Sequence, residues 1–121
     1  MSTRLTRTLL ALTAALAVGE FVSAVIIWRE NYPDAEPWFA VLFGALFLVA
    51  LWLIRSGRVA AGSVLAGVLF LFEVVSFPTW QKHGAVDWAT DTVYAVLSLA
   101  GLLTAIAVLA SRVSARRRIA R

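Results

Sequence analysis

The chain has no cysteine, one histidine and few charges for its 121 residues. Without cysteine there are no disulfides, thiolate metal sites or thiol catalysis, and the redox compartment is left open. The single histidine, His83, stands four residues from Asp87, and one histidine with one acid falls far short of a metal site. No Ser-His-Asp set can be drawn from the apolar segments, and no glycine-rich phosphate loop occurs. Neither a metal nor a cofactor is expected.

Charged residues make up 15% of the chain and hydrophobic ones 61%. A soluble domain holds about a quarter charged and about half apolar residues, so this composition belongs to a membrane protein. The length suits one domain. The net charge of +4 and pI near 10.7 would also suit a nucleic-acid binder, but the placement of the charges points elsewhere.

Charged residues divide the chain into four apolar stretches. They hold 21 residues between Arg7 and Arg29, 18 between Glu36 and Arg55, 23 between Arg58 and Lys82, and 20 between Asp91 and Arg112. A spanning helix needs about 20 such residues. Lipid cannot satisfy open backbone groups, and the alternation of a membrane barrel is missing. The expected fold is all-α: four transmembrane helices at about 8–28, 37–54, 59–77 and 92–111, in a compact antiparallel bundle, with a basic tail at 112–121. The N-terminal segment resembles a signal peptide, with a basic start and an A-x-A at Ala15–Ala17. Its apolar run continues to Trp28, so it reads as an uncleaved first helix.

One set of chain ends and turns carries Arg4, Arg7, Arg55, Arg58, Arg112, Arg116, Arg117, Arg118 and Arg121, and no acid. The other carries Arg29 and Lys82 with Glu30, Asp34, Glu36, Asp87 and Asp91. The positive-inside rule then places both termini in the cytoplasm of a multi-pass protein of the cell membrane. Trp28, Trp38, Trp80 and Trp88 mark the outer boundary as an aromatic belt, and Trp52 the inner one. The basic tail reads as a stop-transfer anchor for anionic lipid, not as a nucleic-acid patch.

Helices 1 and 3 share a short pattern, "EFVSAVIIW" over "EVVSFPTW", which offsets Glu20 from Glu73 and Ser23 from Ser76 by 53. The pattern suggests two repeated helical hairpins related by an axis along the membrane normal. Small residues recur four apart at Gly62 and Ala66, Ser63 and Gly67, Gly101 and Ala105, and Ala15 and Gly19. Such pairs let helices approach closely, within the bundle, in a homo-oligomer or against a membrane-protein partner.

Glu20 and Glu73 interrupt otherwise apolar runs. Glu20 lies eight residues below Trp28, roughly 12 Å at the helical rise, and Glu73 seven below Trp80, roughly 10 Å. Ser23 and Ser76 are each one turn further out on the same face. Ser98 reaches the same depth on helix 4, and Tyr94 stands one turn above it. Gly44 and Ala45 of helix 2 are expected to leave room at this level.

An acid at this depth is costly unless it is neutralised, and no lysine or arginine shares the hydrocarbon with it. Either the glutamates hold a proton or they bind a cation. Candidate ligand- or proton-binding residues are therefore Glu20, Glu73, Ser23, Ser76, Tyr94 and Ser98. The expected function is binding or transport of a proton, a cation or an amine-bearing lipophile at an outward-facing carboxylate pair. The alternative is a non-catalytic membrane subunit or assembly factor whose acids meet a partner's basic residue. An intramembrane acid–base enzyme is the least favoured reading.

Overall fold

The computed structural model describes residues 3–30, 37–79 and 85–120. These residues form α1 (Thr3–Glu30), α2 (Pro37–Arg55), α3 (Val59–Ser76), a short 3-10 turn (Phe77–Thr79) and α4 (Ala85–Ala120). All four α-helices are long and apolar enough to cross a membrane. The connections 31–36 and 80–84 lie outside the described residues, and with them Pro33, Asp34, Glu36, Trp80, Lys82 and His83; so does Arg121.

The helices form an antiparallel ring. Each helix packs against its chain neighbours and α4 closes on α1, which leaves α1 and α3 facing each other across the diagonal. The turn between α2 and α3 fixes their antiparallel course. Gly57 takes φ +95°, a left-handed conformation that favours glycine. This lets the Arg58 N–H reach the Leu53 carbonyl at 2.9 Å and the Gly57 N–H reach that of Ile54 at 3.3 Å. The two bonds form a Schellman motif, which satisfies carbonyls that the helix end would otherwise strand.

The helix bounds differ from the spans read in the sequence: α1 starts five residues before Thr8 and ends two after Trp28, and α2 ends one after Ile54. α3 stops at Ser76 because Pro78 has no N–H to continue the ladder. The Phe77 N–H takes the Val74 carbonyl instead, and the last turn tightens to 3-10. α4 begins seven residues before Thr92 and runs nine past Ser111, for 36 residues in all. Its length of about 54 Å at 1.5 Å per residue exceeds a hydrocarbon core of about 30 Å. Residues 112–120 contain no glycine or proline, and arginine is a good helix former. The basic segment therefore prolongs the helix beyond the apolar span.

The interior is built from Leu9, Leu16, Phe47, Ala66, Phe70, Ala105 and Val108. Phe70 fits because Gly101 faces it: a Cβ there would stand 2.5 Å from the Phe70 ring. The small pairs on α3 and α4 are used inside the bundle, where Gly62, Ser63, Ala66, Gly101 and Ala105 are buried. Ala15 instead points outward. The outer faces are apolar, as lipid requires, and Trp28, Trp38, Trp52 and Trp88 are all largely exposed on them.

Candidate functional site

Glu20 projects from α1 and Glu73 from α3, the two helices on the diagonal. Both are buried, with only 6% and 5% of their surface exposed. Their carboxyls lie within hydrogen-bonding reach of each other. The offset of 53 residues thus brings the two acids to one point in the bundle.

Tyr94 of α4 completes the cluster. Its hydroxyl donates to Glu20 Oε1 at 2.6 Å and lies 3.3 Å from the Leu16 carbonyl oxygen. The tyrosine ring lies against Gly19, where a Cβ would come within 2.7 Å of Tyr Cε2. Glycine at 19 therefore lets α4 place the phenol beside Glu20. The residue next to Glu20 in the chain supplies this close approach, and a larger side chain there would displace the ring.

Two of the serines bond to backbone carbonyls. Ser98 is fully buried, and its hydroxyl donates to the Tyr94 carbonyl at 2.9 Å. This bond steadies the turn that carries the tyrosine. The Ser76 hydroxyl donates to the Glu73 carbonyl at 3.3 Å. Ser23 is half-buried one turn outward of Glu20. Serine within a helix commonly returns its hydroxyl to a carbonyl three or four residues back, which explains the pattern.

Gly44 and Ala45 do not leave an empty space. The Phe21 ring lies where a Gly44 Cβ would be, at 2.9 Å, and Ala45 is exposed. On the side toward the arginine-bearing end, the acids rest on apolar residues. Leu16 is one turn inward of Glu20 and Phe70 one turn inward of Glu73, and Phe47 packs against Phe70 with ring centroids 5.3 Å apart. All three are fully buried. Toward the opposite end the buried and half-buried residues are mixed: Ala24, Ala40, Ser23, Ser76 and Asp91 stand beside Ile27, Phe43 and Phe77.

Asp91 belongs to this set although the sequence placed it just outside the fourth span. It stands on α4 one turn outward of Tyr94, and its Oδ2 is buried. The spacing Asp91, Tyr94, Ser98, Gly101, Ala105, Val108 is an inward-facing stripe of 3 and 4 residue steps. That spacing was the signal available for it. Among the described residues, no group of three His, Asp or Glu side chains is placed to hold a metal ion.

Fold and site together define a class: a four-helix, multi-pass membrane bundle with a buried carboxyl pair capped by a tyrosine. No protein family, no curated protein and no solved structure matches this chain, so the reading of its function rests on the site alone.

Proposed function

We propose that the Glu20–Glu73 pair is a proton-binding site that a cation enters in exchange for the proton, in a small protein that binds or transports that cation. The observation that carries this reading is the contact between two buried carboxyls with no basic residue beside them. No lysine or arginine occurs between Arg7 and Arg29 or between Arg58 and Lys82. Two ionised carboxylates about 4 Å apart repel by about 4 kcal/mol at an effective dielectric of about 20. A proton shared by the pair removes that repulsion, and so does a bound cation. Tyr94 favours the same arrangement, because its O–H donates to one oxygen of the pair and leaves the others to share a proton or a cation.

Access is one-sided in this reading. Leu16, Phe47 and Phe70 are fully buried at the end that carries the arginines, whereas the other end has half-buried polar residues, Ser23, Ser76 and Asp91, among its apolar ones. The nine basic residues on the sealed side, with no acid among them, support a cytoplasmic location for both termini in the cell membrane. The pair then opens toward the outside. An accessory-subunit role fits less well, because each acid already has the other as its partner and both are buried.

The test is thermal stability of the purified protein in detergent, from about pH 5 to about pH 9. Sodium, potassium, calcium and dodecylammonium are the added cations. At least one is expected to raise the melting temperature, and more so at high pH, where protons compete less. Glu20→Gln and Glu73→Gln should each abolish that pH dependence with the helices intact. If no cation shifts the wild-type protein and both variants keep its pH profile, the glutamates serve structure alone.

A further inference from the structure

Between the carboxyl pair and the arginine-bearing end, the bundle holds two further polar side chains that are fully buried, Thr13 of α1 and Ser63 of α3. Both helices run from that end toward the pair, so position along each gives depth. Thr13 lies seven residues before Glu20 and Ser63 ten before Glu73, roughly 10 Å and roughly 15 Å below the pair at the helical rise. The apolar floor stands between, with Phe70 three and Leu16 four residues below the acids, roughly 5 to 6 Å. Polar groups therefore lie on both sides of one apolar layer. The two hydroxyls are used differently. Thr13 donates to the Leu9 carbonyl one turn back, at 2.6 Å. Ser63 does not turn to the Val59 carbonyl in the same way, and among the described residues its buried oxygen has no hydrogen-bond partner.

An unpaired hydroxyl inside a membrane bundle is costly, because lipid offers it nothing in exchange for water. A core built for stability alone takes alanine at such a place, as this one does at Ala66 one turn on. The helices also meet here through small residues. A Cβ on Gly62 would stand 2.9 Å from the Ala50 carbonyl oxygen, and one on Gly67 3.5 Å from the Ala105 Cβ. A neutral hydroxyl both donates and accepts, so it suits water and a passing proton, and it is too weak a ligand to trap a metal ion. We propose that Ser63 and Thr13 line an inner water route by which the proton displaced from the pair leaves toward the arginine-bearing end. Leu16, Phe47 and Phe70 are its gate. The gate is shut in this structure, and the pair meets the inner route when it opens. The route rests on the exchange proposed at the pair for the proton it carries, and it makes the protein a carrier served alternately from both sides.

The chain has no cysteine, so single cysteines test the route without background. S63C and T13C in membrane vesicles are treated with sulfonatoethyl methanethiosulfonate, a charged reagent that does not cross lipid, and the mass gain is followed over time. A thiol reacts as the thiolate, which forms in water and not in hydrocarbon, so from the arginine-bearing side both should react at least about ten-fold faster than V64C and V68C, which are exposed to lipid on the same helix as Ser63. From the opposite side neither should react, because the gate lies between. If S63C and T13C are as inert as V64C, or react equally from both sides, the route is overturned. The cation titration of the wild-type protein separates the two proposals. An inert S63C beside a cation response that persists would overturn the route and leave the exchange at the pair standing. A reactive S63C without any cation response would uphold the water route and remove the exchange. Should T13C fail to fold, S63C decides alone, since cysteine differs from serine only in sulfur for oxygen.

Discussion

Tyr94 and Glu20 lie 74 residues apart in the chain and are joined by a hydrogen bond of 2.6 Å inside the bundle. This bond ties α4 to α1 at the level of the second acid, Glu73, and makes the carboxyl pair asymmetric. Glu20 accepts from a phenol, whereas Glu73 meets Glu20 from the opposite helix.

Tyr94→Phe removes the donor and keeps the ring. Hydrogen bonds between membrane helices contribute about 0.6 kcal/mol on average and up to about 1.7 kcal/mol. A bond of 2.6 Å between two groups inside the bundle falls within that range, so a loss of about 1 kcal/mol is expected. Reversible unfolding in mixed detergent would measure it. The pH profile of cation binding should shift in the same variant, and an unchanged profile would remove Tyr94 from the site.

Gly19→Ala places a Cβ 2.7 Å from the tyrosine ring. Overpacking of this kind costs about 1–3 kcal/mol, because the ring must leave its position beside Glu20. The cost should nearly vanish in a Tyr94→Ala background. A double-mutant cycle would then give a coupling of at least about 1 kcal/mol. Additive effects would mean that the two residues do not restrain one another.

Phe70→Ala opens the apolar floor beneath the acids. Phe70 is fully buried against Phe47 and Gly101, and truncating a core phenylalanine costs about 3–5 kcal/mol. If the floor seals the site, the variant should also leak protons across proteoliposome membranes when the wild type does not. A variant that is destabilised yet as tight as the wild type would show that the seal lies elsewhere.

Topology is tested with reporter fusions at Arg121 and within 31–36. The arginine distribution predicts opposite sides, with Arg121 cytoplasmic. Signals from the same side would remove the basis for an outward-facing pair.

Much of this architecture can be read from the chain because lipid is a strict solvent. It demands long apolar runs, so charged residues mark the spans closely, and an acid within a run is conspicuous. Glu20 and Glu73 are conspicuous for that reason, and their spacings of eight residues from Trp28 and seven from Trp80 put them at similar depth. Charge marks where a span ends but not where a helix ends. α4 therefore runs through 112–120, where nothing breaks the backbone, and starts early enough to include Asp91. Ser23 and Ser76 share a face with the acids and Ser98 shares their depth, but neither face nor depth reveals that the Ser76 and Ser98 hydroxyls bond local carbonyls. Gly44 does not leave the expected space. Close packing fills such a gap from whichever neighbour reaches it, here Phe21, and that depends on how the helices are ordered around the ring. The same ordering decides that Tyr94 bonds Glu20 of the adjacent α1.

Infrared spectroscopy tests, without any ligand, whether the Glu20–Glu73 pair shares a proton as proposed. A protonated carboxylic acid has a carbonyl stretch above the amide I band, where ionised carboxylates do not absorb. At about pH 7, where exposed carboxyls are ionised, the wild-type protein should show such a band. The band should shift on exchange into deuterated water and be missing from the Glu20→Gln/Glu73→Gln variant. A wild-type spectrum without it, or a band that persists unchanged in the double variant, would contradict the account.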